Sequence, residues 1–562
     1  MIHQCQNLSF LKINGFRYFT PVFALKILKY TGSTPLFSSL HNHLAITNNA
    51  QQLNTTQMNI YLECQMTIMR PGLSYNSPPG PRAKFPYLFG LKFLKDPLTV
   101  LYDLTTKYGD ISYFKFGRQG IYFVNNPDYI QSILVTYQSK FIKNPGLRLT
   151  KRIVGDGLLT SEGEYHKQQR SLLQPAFDYK RIAIYTDIIT SCGEDLCKEW
   201  GRDTAEIVPS KGVIDIYKEM TKLTLSIISN ILFGSSINSE TTTRIIQDVT
   251  VLVGYFNHLR LPFIGNVVEK LPLASSRQFH ASKQRLDSLI FAIIKEAKLK
   301  LKLEGKERSD YLDNQHWNDL PTGVRTSPKD LLSTLLLLDM RRRIMGSDNT
   351  SAAMTTQQLR DEIMTLFLAG HETTSNALTW TLYLISQNHQ VESKIIEELK
   401  CVLGGGNRHP TVEDIPKFQY LRNVFTESLR LYPPAWAIGR EAIDNVVIGN
   451  YTIPPGSVII MSQYITHRDP RFYSEPNKFI PERWSYDMKS NLHKFAFFPF
   501  GGGSRICVGE PLAWVEGILL LTMILRNWKM EPLPEHPVVL SPLITLRPKY
   551  GIKMTLEPRD IS

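Results

Sequence analysis

Hydrophobic positions in this chain recur mainly at the three- and four-residue spacing of α-helices. The clearest example is TTQQLRDEIMTLFLAGHETTSNALTWTLYLISQ, residues 355–387. Its periodic apolar positions include Ile363, Leu366, Phe367, Ala377, Leu378, Leu382 and Ile385. Thr355 and Gln358 stand in the spacing of a capping box, so the pattern predicts a long helix that begins there. Because apolar residues occur on almost every face, we expect this helix to be buried.

Strand signals are limited to two short patches of β-branched and aromatic residues. GDISYFKFGRQGIYFVNNP, residues 109–127, predicts an antiparallel hairpin. VVIGNYTIPPGSVIIMS, residues 446–462, predicts a second group of strands with a turn at 454–456. Over residues 161–303 the periodicity is again helical. The predicted fold class is therefore mainly α with small β-sheets.

A proline- and glycine-rich stretch, NSPPGPRAKFP at 76–86, separates an N-terminal region from the rest of the chain. We expect residues 1–69 to be an unfolded extension and residues 70–562 to form one domain, with an exposed insertion at 303–328. The extension is poor in acids, and Lys26 interrupts its best apolar stretch, so we do not expect it to span a membrane. Two origins stay open for it: a targeting peptide, or sequence read upstream of a later start, of which the second is favoured.

Net charge and cysteine content limit the kinds of molecule that the protein is expected to bind. The chain of 562 residues has 64 Lys and Arg against 51 Asp and Glu, a formal net charge of +13. Because these basic residues are dispersed, we expect a solvated basic surface or one that attracts an acidic protein, and no binding of nucleic acid. The six cysteines show no CxxC pair, which argues against a disulfide framework, zinc sites and iron–sulfur sites and favours a reducing compartment.

The predicted buried helix contains a polar notch, Gly370–Thr374. Glycine inside a helix costs about 0.5–1 kcal/mol relative to alanine, and buried polar groups need partners. HETTS begins like a zinc-binding HExxH motif, but Ser375 replaces the second histidine. Two other readings stay open: side chains that bond back to helix carbonyls, and a small ligand docked against Gly370 that receives protons from Thr373 and Glu372.

A single cysteine stands in the glycine-rich stretch FPFGGGSRICVGEP, residues 498–511. Pro511 suits the first turn of a helix, so Cys507 is expected just before a helix N-terminus, where the dipole favours a thiolate and Arg505 adds positive charge. An inert cysteine, a catalytic nucleophile and a metal-ligating thiolate are the alternatives. Ligation of a metal whose other ligands are not protein fits best, and haem is such a metal carrier.

These residues carry a resemblance to a known family. Phe500, Gly503, Arg505, Cys507 and Gly509 match the FxxGxRxCxG haem-binding loop of the cytochrome P450 monooxygenases. Five fixed positions would match by chance in roughly two such chains in ten thousand. AGHETTS, residues 369–375, resembles the family's oxygen-activation motif. The resemblance extends from about residue 71 to the C-terminus and implies the cytochrome P450 fold, with haem between a long central helix and the cysteine loop.

Further matches assign expected roles. Glu427 and Arg430 in ESLR resemble the ExxR pair, and Arg483 in PERW resembles the arginine that joins it. GEYHKQQR, residues 163–170, resembles GxxWxxxR with histidine in place of tryptophan. The resemblance implies Cys507 as axial ligand of the haem iron and Thr373 and Glu372 as catalytic residues. The remaining cofactor-binding residues that it implies are Phe500, Gly503, Arg505, Gly509, His166, Arg170, Arg440, Ala369 and Gly370.

The resemblance also implies the reaction and its partners. We expect haem b, insertion of one oxygen atom from O2 into a lipophilic substrate such as a fatty acid, terpenoid or carotenoid, and NAD(P)H electrons delivered by a ferredoxin- or flavodoxin-type partner. Residues 433–438 and 256–272 are expected to line the substrate pocket. We expect a monomer in the cytoplasm, with peripheral membrane contact or organelle targeting as alternatives. A haem-thiolate sensor or electron carrier with His371 as a sixth ligand, or a peroxide-using relative, is the alternative function.

Overall fold

The computed structural model describes residues 12–13, 16–17, 77–81, 86–117, 119–206, 212–234, 239–259, 274–307, 330–345, 354–404, 408–484 and 486–559. The chain divides into two compact units, Met1–Ser74 and Tyr75–Ser562. In the first unit the described residues form a short antiparallel pair of strands, β1 (Lys12–Ile13) and β2 (Phe16–Arg17). All elements that follow belong to the second unit.

Helices make up most of the described part of the second unit. The α-helices are α1 (Pro86–Lys95), α2 (Pro97–Tyr108), α3 (Pro127–Gln131), α4 (Pro145–Arg148), α5 (Lys151–Val154), α6 (Gly163–Leu173), α7 (Tyr179–Glu206), α8 (Ile216–Phe233), α9 (Ser239–Leu259), α10 (Ala274–Glu307), α11 (Leu331–Met345), α12 (Thr356–Ser386), α13 (His389–Leu403), α14 (Gln419–Leu431), α15 (Gln463–Thr466), α16 (Tyr486–Asn491) and α17 (Glu510–Asn527). Short 3₁₀ or π segments are Ser132–Thr136, Gln138–Lys140, Gln174–Phe177, Val412–Lys417, Pro481–Trp484, Lys494–Ala496 and Gly503–Arg505.

The strands form small sheets around this helical body. They are β3 (Ile111–Phe116), β4 (Gln119–Val124), β5 (Phe141–Lys143), β6 (Val213–Asp215), β7 (Ile438–Ala442), β8 (Val446–Ile448), β9 (Tyr451–Ile453), β10 (Val458–Met461), β11 (Trp528–Pro532), β12 (Leu540–Pro542), β13 (Leu546–Pro548) and β14 (Lys553–Pro558). The largest has the order β3-β4-β10-β7-β5, in which only β4 and β10 run parallel. The others are β11-β14-β6, β12-β13 and β8-β9, all antiparallel.

Helix α12 occupies the core of the helical body. It packs against α8, α14 and α17, and its side chains are buried along most of its length. The Thr355 hydroxyl accepts from the Gln358 N–H, and the Gln358 side chain accepts from the Thr355 N–H, so the capping box predicted from sequence is present. Helix α17 is also largely buried and carries Pro511 in its first turn, as predicted.

Several other predictions can be compared with the described residues. The hairpin at 109–127 is confirmed as β3 and β4, and the 446–462 patch as β8, β9 and β10 with the predicted turn at 454–456. Of the insertion expected at 303–328, residues 303–307 continue helix α10, and the remainder lies outside the described residues. Within the part of the chain that the structure describes, no helix has both the length and the hydropathy required to cross a bilayer.

Candidate haem and oxygen-activation site

The cysteine loop is held in place by its own backbone and by the segment behind it. The Cys507 N–H donates to the Phe500 carbonyl at 3.0 Å, which closes the loop just before α17. Gly503 has φ +67°, and a Cβ there would lie 1.9 Å from the carbonyl oxygen of Leu134. Glycine is therefore required at this position by both conformation and close backbone approach. The Cys507 side chain remains exposed.

The pKa of the Cys507 thiol depends on more than the helix N-terminus and Arg505, which were expected from the sequence to lower it. Although the side chain is accessible to solvent, the protein atoms packed around its sulfur desolvate the thiolate and raise the thiol pKa to about 11, and hydrogen bonds from backbone N–H groups at the start of α17 offset only part of this effect. The backbone N–H groups at the start of α17 lower the thiol pKa in the predicted direction, but desolvation is the larger effect in the protein alone. Arg505 is not the nearby positive charge either, since its guanidinium pairs with Glu162, and the cation that lowers the thiol pKa is Arg170. A metal coordinated by this sulfur would deprotonate the thiol outright.

One short segment of α12 is accessible within an otherwise buried helix. Ala369 is exposed, and Gly370 and Thr373 are partly exposed, whereas His371 and Glu372 are buried. Ala369 and Thr373 lie one turn apart, so these accessible positions share one face of the helix. Gly370 does not itself face open space, because a Cβ there would lie 3.1 Å from Cδ1 of Ile228 on α8. Its small size serves close packing of α8 against α12.

The polar side chains of the notch bond largely within the helix, as one of the two open readings proposes. The Thr373 hydroxyl donates to the Ala369 carbonyl at 2.7 Å, and the Ser375 hydroxyl donates to the Glu372 carbonyl at 3.1 Å. The Glu372 carboxylate instead accepts from the Thr545 hydroxyl at 2.6 Å. The acid and the alcohol thus stand next to each other in sequence but have different hydrogen-bond partners.

His371 is held against the helix itself. Its Nδ1 lies 2.9 Å from the Phe367 carbonyl oxygen, its own carbonyl accepts from the Thr224 hydroxyl of α8, and its side chain is 4% exposed. Burial lowers the pKa of His371, so the ring is neutral at pH 7. This environment does not favour His371 as a sixth iron ligand.

Five basic side chains gather near the cysteine loop. They are Lys143 on β5, His166 and Arg170 on α6, Arg440 on β7, and Arg505. Lys143 and Arg440 stand directly opposite each other in the antiparallel pairing of β5 with β7. The Lys143 ammonium and the Arg505 guanidinium both donate to the Ser161 carbonyl, each at 2.8 Å. Arg170 donates to the Ile506 carbonyl at 2.7 Å, next to Cys507.

The electrostatics of this basic cluster show a deficit of negative charge. Burial first, and then repulsion from neighbouring cations, lowers the pKa of Lys143 to about 7, of His166 to about 3 and of Arg440 to about 10. Glu162 is the acid that pairs with the cluster among the described residues: it bonds Arg505 and accepts from the Lys143 backbone N–H at 2.7 Å. The two carboxylates of a haem would supply the missing negative charge, and the accessible Cys507 sulfur would supply the axial ligand. The residues present therefore fit haem.

A separate group of buried charges surrounds Glu427. Its two carboxylate oxygens accept from Arg430 at 2.8 Å each, from the Arg483 Nε–H at 2.9 Å and from the Trp484 indole N–H at 2.9 Å. Glu427 and Arg430 are both 0% exposed. The ESLR and PERW motifs thus meet, although more than 50 residues separate them.

His467 links this network to the cysteine loop. Its carbonyl accepts from Arg430 at 2.7 Å, and its Nε2 accepts from the Phe498 N–H at 3.0 Å. Because Phe498 begins the FPFGGG stretch, the imidazole connects the buried ion pair to the loop that carries Cys507. The family resemblance makes His467 in the THRDP stretch a candidate contact of a haem carboxylate, whereas its described contacts are with Arg430 and the Phe498 N–H.

Comparison with known proteins decides the family. The sequence profile described as Cytochrome P450 matches residues 78–556. The chain belongs to the cytochrome P450 family. It is accordingly a haem-thiolate oxidoreductase, a cytochrome P450 monooxygenase, with the fold expected from the cysteine loop. The haem domain of cytochrome P450DA, known from a crystal structure, has the same fold, with a TM-score of 0.70 and 20% identity over 86% of this chain and 98% of that one.

Curated relatives with higher identity include two P450s of Streptomyces melanosporofaciens. Cyclooctatin synthase is 31% identical over 470 residues, which cover 84% of this chain and 93% of that protein. Cyclooctat-9-en-7-ol 5-monooxygenase is 29% identical over 444 residues, 78% of this chain and 86% of that protein. The chloroplastic protein LUTEIN DEFICIENT 5 of Arabidopsis thaliana is 28% identical over 472 residues, 82% of this chain and 74% of that protein.

One member of the basic cluster and the acid that pairs with it escaped sequence reasoning. Lys143 ends the strand FIK, and its 5% exposed side chain is visible in sequence only as a lysine that follows two apolar residues. Glu162 directly precedes the GEYHKQQR motif but is not part of the pattern that drew attention to it. A lysine that ends a short apolar strand is the signal that could have identified Lys143.

Proposed function

We propose that this P450 inserts one oxygen atom from O2 into a lipophilic cyclic substrate, using electrons that an external NAD(P)H-linked protein delivers. When bound, haem ligated by Cys507 supplies activation of dioxygen and transfer of one oxygen atom to carbon. The observation that carries the proposal is the accessible segment of α12. It places the hydroxyl-bearing Thr373 on an open helix face and the buried acid Glu372 beside it in an otherwise apolar helix.

The roles proposed for this chain's residues follow from their contacts. Glu372 is a carboxylate placed to take up and pass on a proton beside this accessible helix face, and Thr373 presents a hydroxyl that can donate or accept once it leaves the Ala369 carbonyl. The basic cluster binds the haem carboxylates, with Arg170, Arg440 and Arg505 as donors, and excludes water from that edge. Phe500, Gly503 and Gly509 shape the loop so that the Cys507 sulfur stays accessible and would be available to ligate the iron of a bound haem.

The first test is the carbon monoxide difference spectrum of the reduced, purified full chain. We expect the red-shifted Soret band of thiolate ligation in the wild type and its loss in Cys507→Ala. Cys401→Ala is the matched control, because Cys401 is also a free, exposed cysteine but lies at the end of α13. Retention of the band in Cys507→Ala, or haem loading of the wild type with no such band, would remove Cys507 as the ligand.

The apolar character of the substrate is supported by the residues around the end of the β12–β13 hairpin. Trp436 is 7% exposed and donates to the Leu543 carbonyl at 3.0 Å, so residues 433–438 and this hairpin lie together. Ile544, beside it, is 40% exposed. Of the second expected pocket stretch, residues 256–259 end helix α9, and 260–272 lie outside the described residues.

The names of the relatives sharpen the substrate class. One relative is named as a monooxygenase of cyclooctat-9-en-7-ol, a cyclic alkenol, and another as cyclooctatin synthase. We therefore place a cyclic terpenoid alcohol ahead of a fatty acid or a carotenoid. Cyclooctat-9-en-7-ol, palmitic acid and β-carotene can be titrated in turn into the ferric protein. A low- to high-spin shift with the first, and incorporation of oxygen from ¹⁸O2 into its product, would support this order, whereas a shift with palmitic acid alone would reverse it.

The electron donor is proposed to be an acidic ferredoxin or flavodoxin-type protein. Lys167 on α6 and Lys494 just before the cysteine loop are exposed, and both stand close in sequence to residues of the proposed haem site. The side chain of Lys489, five positions before Lys494, lies outside the described residues. Lys494→Glu should slow reduction by an acidic ferredoxin at low salt and lose this effect at high salt. Equal reduction rates at both salt concentrations would contradict the proposed face.

The names of the relatives also bear on the cellular location. One relative is named as chloroplastic, and two belong to a bacterium, so the names support both an organelle and a bacterial cytoplasm. We propose a location in the cytoplasm or in an organelle with peripheral membrane contact, for which α1 and α2 carry the exposed apolar residues Leu91 and Tyr102. Among the described residues, no helix has the length and hydropathy to span a bilayer.

A further inference from the structure

The end of the β12–β13 hairpin docks on α12 through three side chains that lie one helical turn apart. Trp380 donates its indole N–H to the Leu546 carbonyl at 2.9 Å. Asn376 donates to the Thr545 hydroxyl oxygen at 3.2 Å, and that hydroxyl donates to the Glu372 carboxylate at 2.6 Å. All five side chains are less than 9% exposed. Glu372, Asn376 and Trp380 therefore form one stripe on the helix, and Thr545 contacts two of its members.

The chemistry of a hydroxyl gives this chain of bonds a direction. A threonine hydroxyl has one hydrogen to donate, and Thr545 gives it to the carboxylate. It then accepts from Asn376, whose amide also donates to the Glu372 backbone carbonyl at 2.7 Å. Because an O–H···O⁻ bond is short and strong, it holds the Glu372 side chain in one orientation inside a buried site. The orientation of the acid is thus set by a residue more than 170 positions away in sequence.

Docking of the hairpin does not depend on the Thr545 side chain. The Leu546 N–H donates to the Pro434 carbonyl at 2.9 Å, and its carbonyl accepts from Trp380. Trp436 donates to the carbonyl two residues before Thr545. The hairpin backbone is fixed on both sides of Thr545, so the hydroxyl adds a contact that serves Glu372 specifically.

We propose that Thr545 is a positioning residue for proton delivery by Glu372, with Asn376 orienting the Thr545 hydroxyl. The inference rests on the proposed function, in which Glu372 supplies protons during reduction of dioxygen. Thr545 itself touches neither substrate nor the reacting oxygen in this role. It sets where the acid points, and a misplaced general acid loses rate even when its pKa is suitable.

The experiment uses the full, haem-loaded chain and dioxygen as the probe, with no organic substrate. NADPH, a reductase and a surrogate ferredoxin supply electrons. Reduction of O2 to hydrogen peroxide takes two electrons and two protons, and reduction to water takes four of each, so the rate and the peroxide yield both report proton supply. We expect Thr545→Val to slow NADPH-dependent oxygen consumption by about tenfold and to raise its solvent deuterium isotope effect. Thr545→Ser, which keeps the hydroxyl, should restore at least half of the rate.

Two further variants distinguish failure of the role proposed for Thr545 from failure of the proposed function. Thr555→Val is the matched control, because Thr555 also donates from a half-buried strand, to the Glu531 carbonyl, but has no contact with α12. Glu372→Gln tests the proposed function itself. If Glu372→Gln consumes oxygen like the wild type, the proton role of Glu372 fails. If Glu372→Gln is slow but Thr545→Val behaves like Thr555→Val, the role of Thr545 is overturned while the proposed function stands.

Thermal unfolding of the same haem-loaded variants gives a readout that does not depend on turnover. Thr545→Val should lower the midpoint more in the wild type than in Glu372→Gln, because only the carboxylate makes the charge-assisted bond. Equal shifts in both backgrounds would show that Thr545 and Glu372 are not coupled and would contradict the inference. In the oxygen assay, the double variant should be no slower than Glu372→Gln alone.

Discussion

Two clusters of buried charge in this protein are built in opposite ways. Around Glu427, every N–H group of the Arg430 guanidinium has an acceptor: the two Glu427 oxygens and the carbonyls of His467, Pro476 and Lys478. Around Lys143, five basic side chains have one hydrogen-bonded acid among the described residues, Glu162. The first cluster is complete within the described chain, whereas the second has an excess of positive charge.

The difference shows what each cluster contributes. A buried charge is tolerated when its hydrogen bonds are complete, and breaking such a set is costly because the remaining charge stays buried. The Glu427 network should therefore stabilise the folded chain whether or not haem is bound. The basic cluster carries repulsion, including like charges opposite each other on β5 and β7, which an anionic ligand would relieve. The Glu427 network therefore stabilises the fold, whereas the basic cluster around Lys143 is suited to bind an anionic ligand.

The largest expected effect breaks the complete cluster. Glu427→Gln leaves the Arg430 charge buried without its counter-ion and should lower the free energy of unfolding by about 3–5 kcal/mol. Stable haem loading should be lost rather than turnover slowed. Denaturant unfolding and haem content of the purified protein measure both. Lys394→Gln is the control, because its ion pair with Glu482 is exposed and should change stability by less than about 0.5 kcal/mol. Equal behaviour of the two variants would contradict the network.

Arg440→Gln should weaken haem binding without lowering the stability of the haem-free chain. Removal of one cation from the incomplete cluster should speed haem loss by about tenfold to a hundredfold, since a proposed propionate partner is gone. The free energy of unfolding of the haem-free chain should stay the same or rise. Transfer of haem to excess apomyoglobin gives the first quantity, and denaturant unfolding gives the second. Lys115→Gln, an exposed lysine on β3, is the matched control. A loss of stability without faster haem loss would place Arg440 with the structural charges instead.

Lys143 should make the stability of the haem-free chain depend on pH. Burial lowers its folded pKa to about 7, below the ordinary 10.5, so between these values the unfolded chain binds the extra proton. Stability of the haem-free chain should therefore rise with pH through this window, by about 2 kcal/mol between pH 7 and pH 9. Lys143→Met should remove this rise, and the two proteins should differ most below pH 7. Parallel curves of unfolding free energy against pH would show that Lys143 is not the group responsible.

The smallest expected effect concerns the single acid of the basic cluster. Glu162→Gln removes the partner of Arg505 and should destabilise the haem-free chain by about 1 kcal/mol, because the acid is partly exposed and solvent screens the loss. Glu164→Gln, two residues away in an exposed pair with Lys167, should have no measurable effect. The two unfolding curves measured side by side test this difference. Identical curves would mean that Glu162 does not balance the cluster.

Features fixed by neighbouring residues could be predicted from the sequence. The capping box at Thr355 and Gln358, the proline in the first turn of α17 and the hairpin at 109–127 all depend on residues within a few positions of one another. The cysteine loop could be identified for the same reason, since its five matching positions lie within ten residues. The ESLR pair is local as well, because Glu427 and Arg430 are one helical turn apart.

Features that depend on distant packing could not be predicted. The raised thiol pKa of Cys507 arises from burial by the surrounding fold, which no local pattern reports. Lys143 gains its place from the pairing of β5 with β7, about 300 residues later in the chain. Thr545 contacts Glu372 only because the β12–β13 hairpin returns to α12. In each case the chemistry of a residue is set by a partner that sequence spacing cannot identify.

The pairing of β6 with β14 has a consequence for synthesis of the protein. Asp215 on β6 pairs with Lys553, about 340 positions later. At roughly 5–20 residues per second, the ribosome needs on the order of 20–70 s to produce the second strand after the first. During that interval β6 lacks its neighbour, and the loop that carries Cys507 has yet to be made for most of it. A nascent chain of this P450 therefore cannot retain its cofactor until almost all of it has left the ribosome, so chaperone supply and haem supply must coincide at the end of translation.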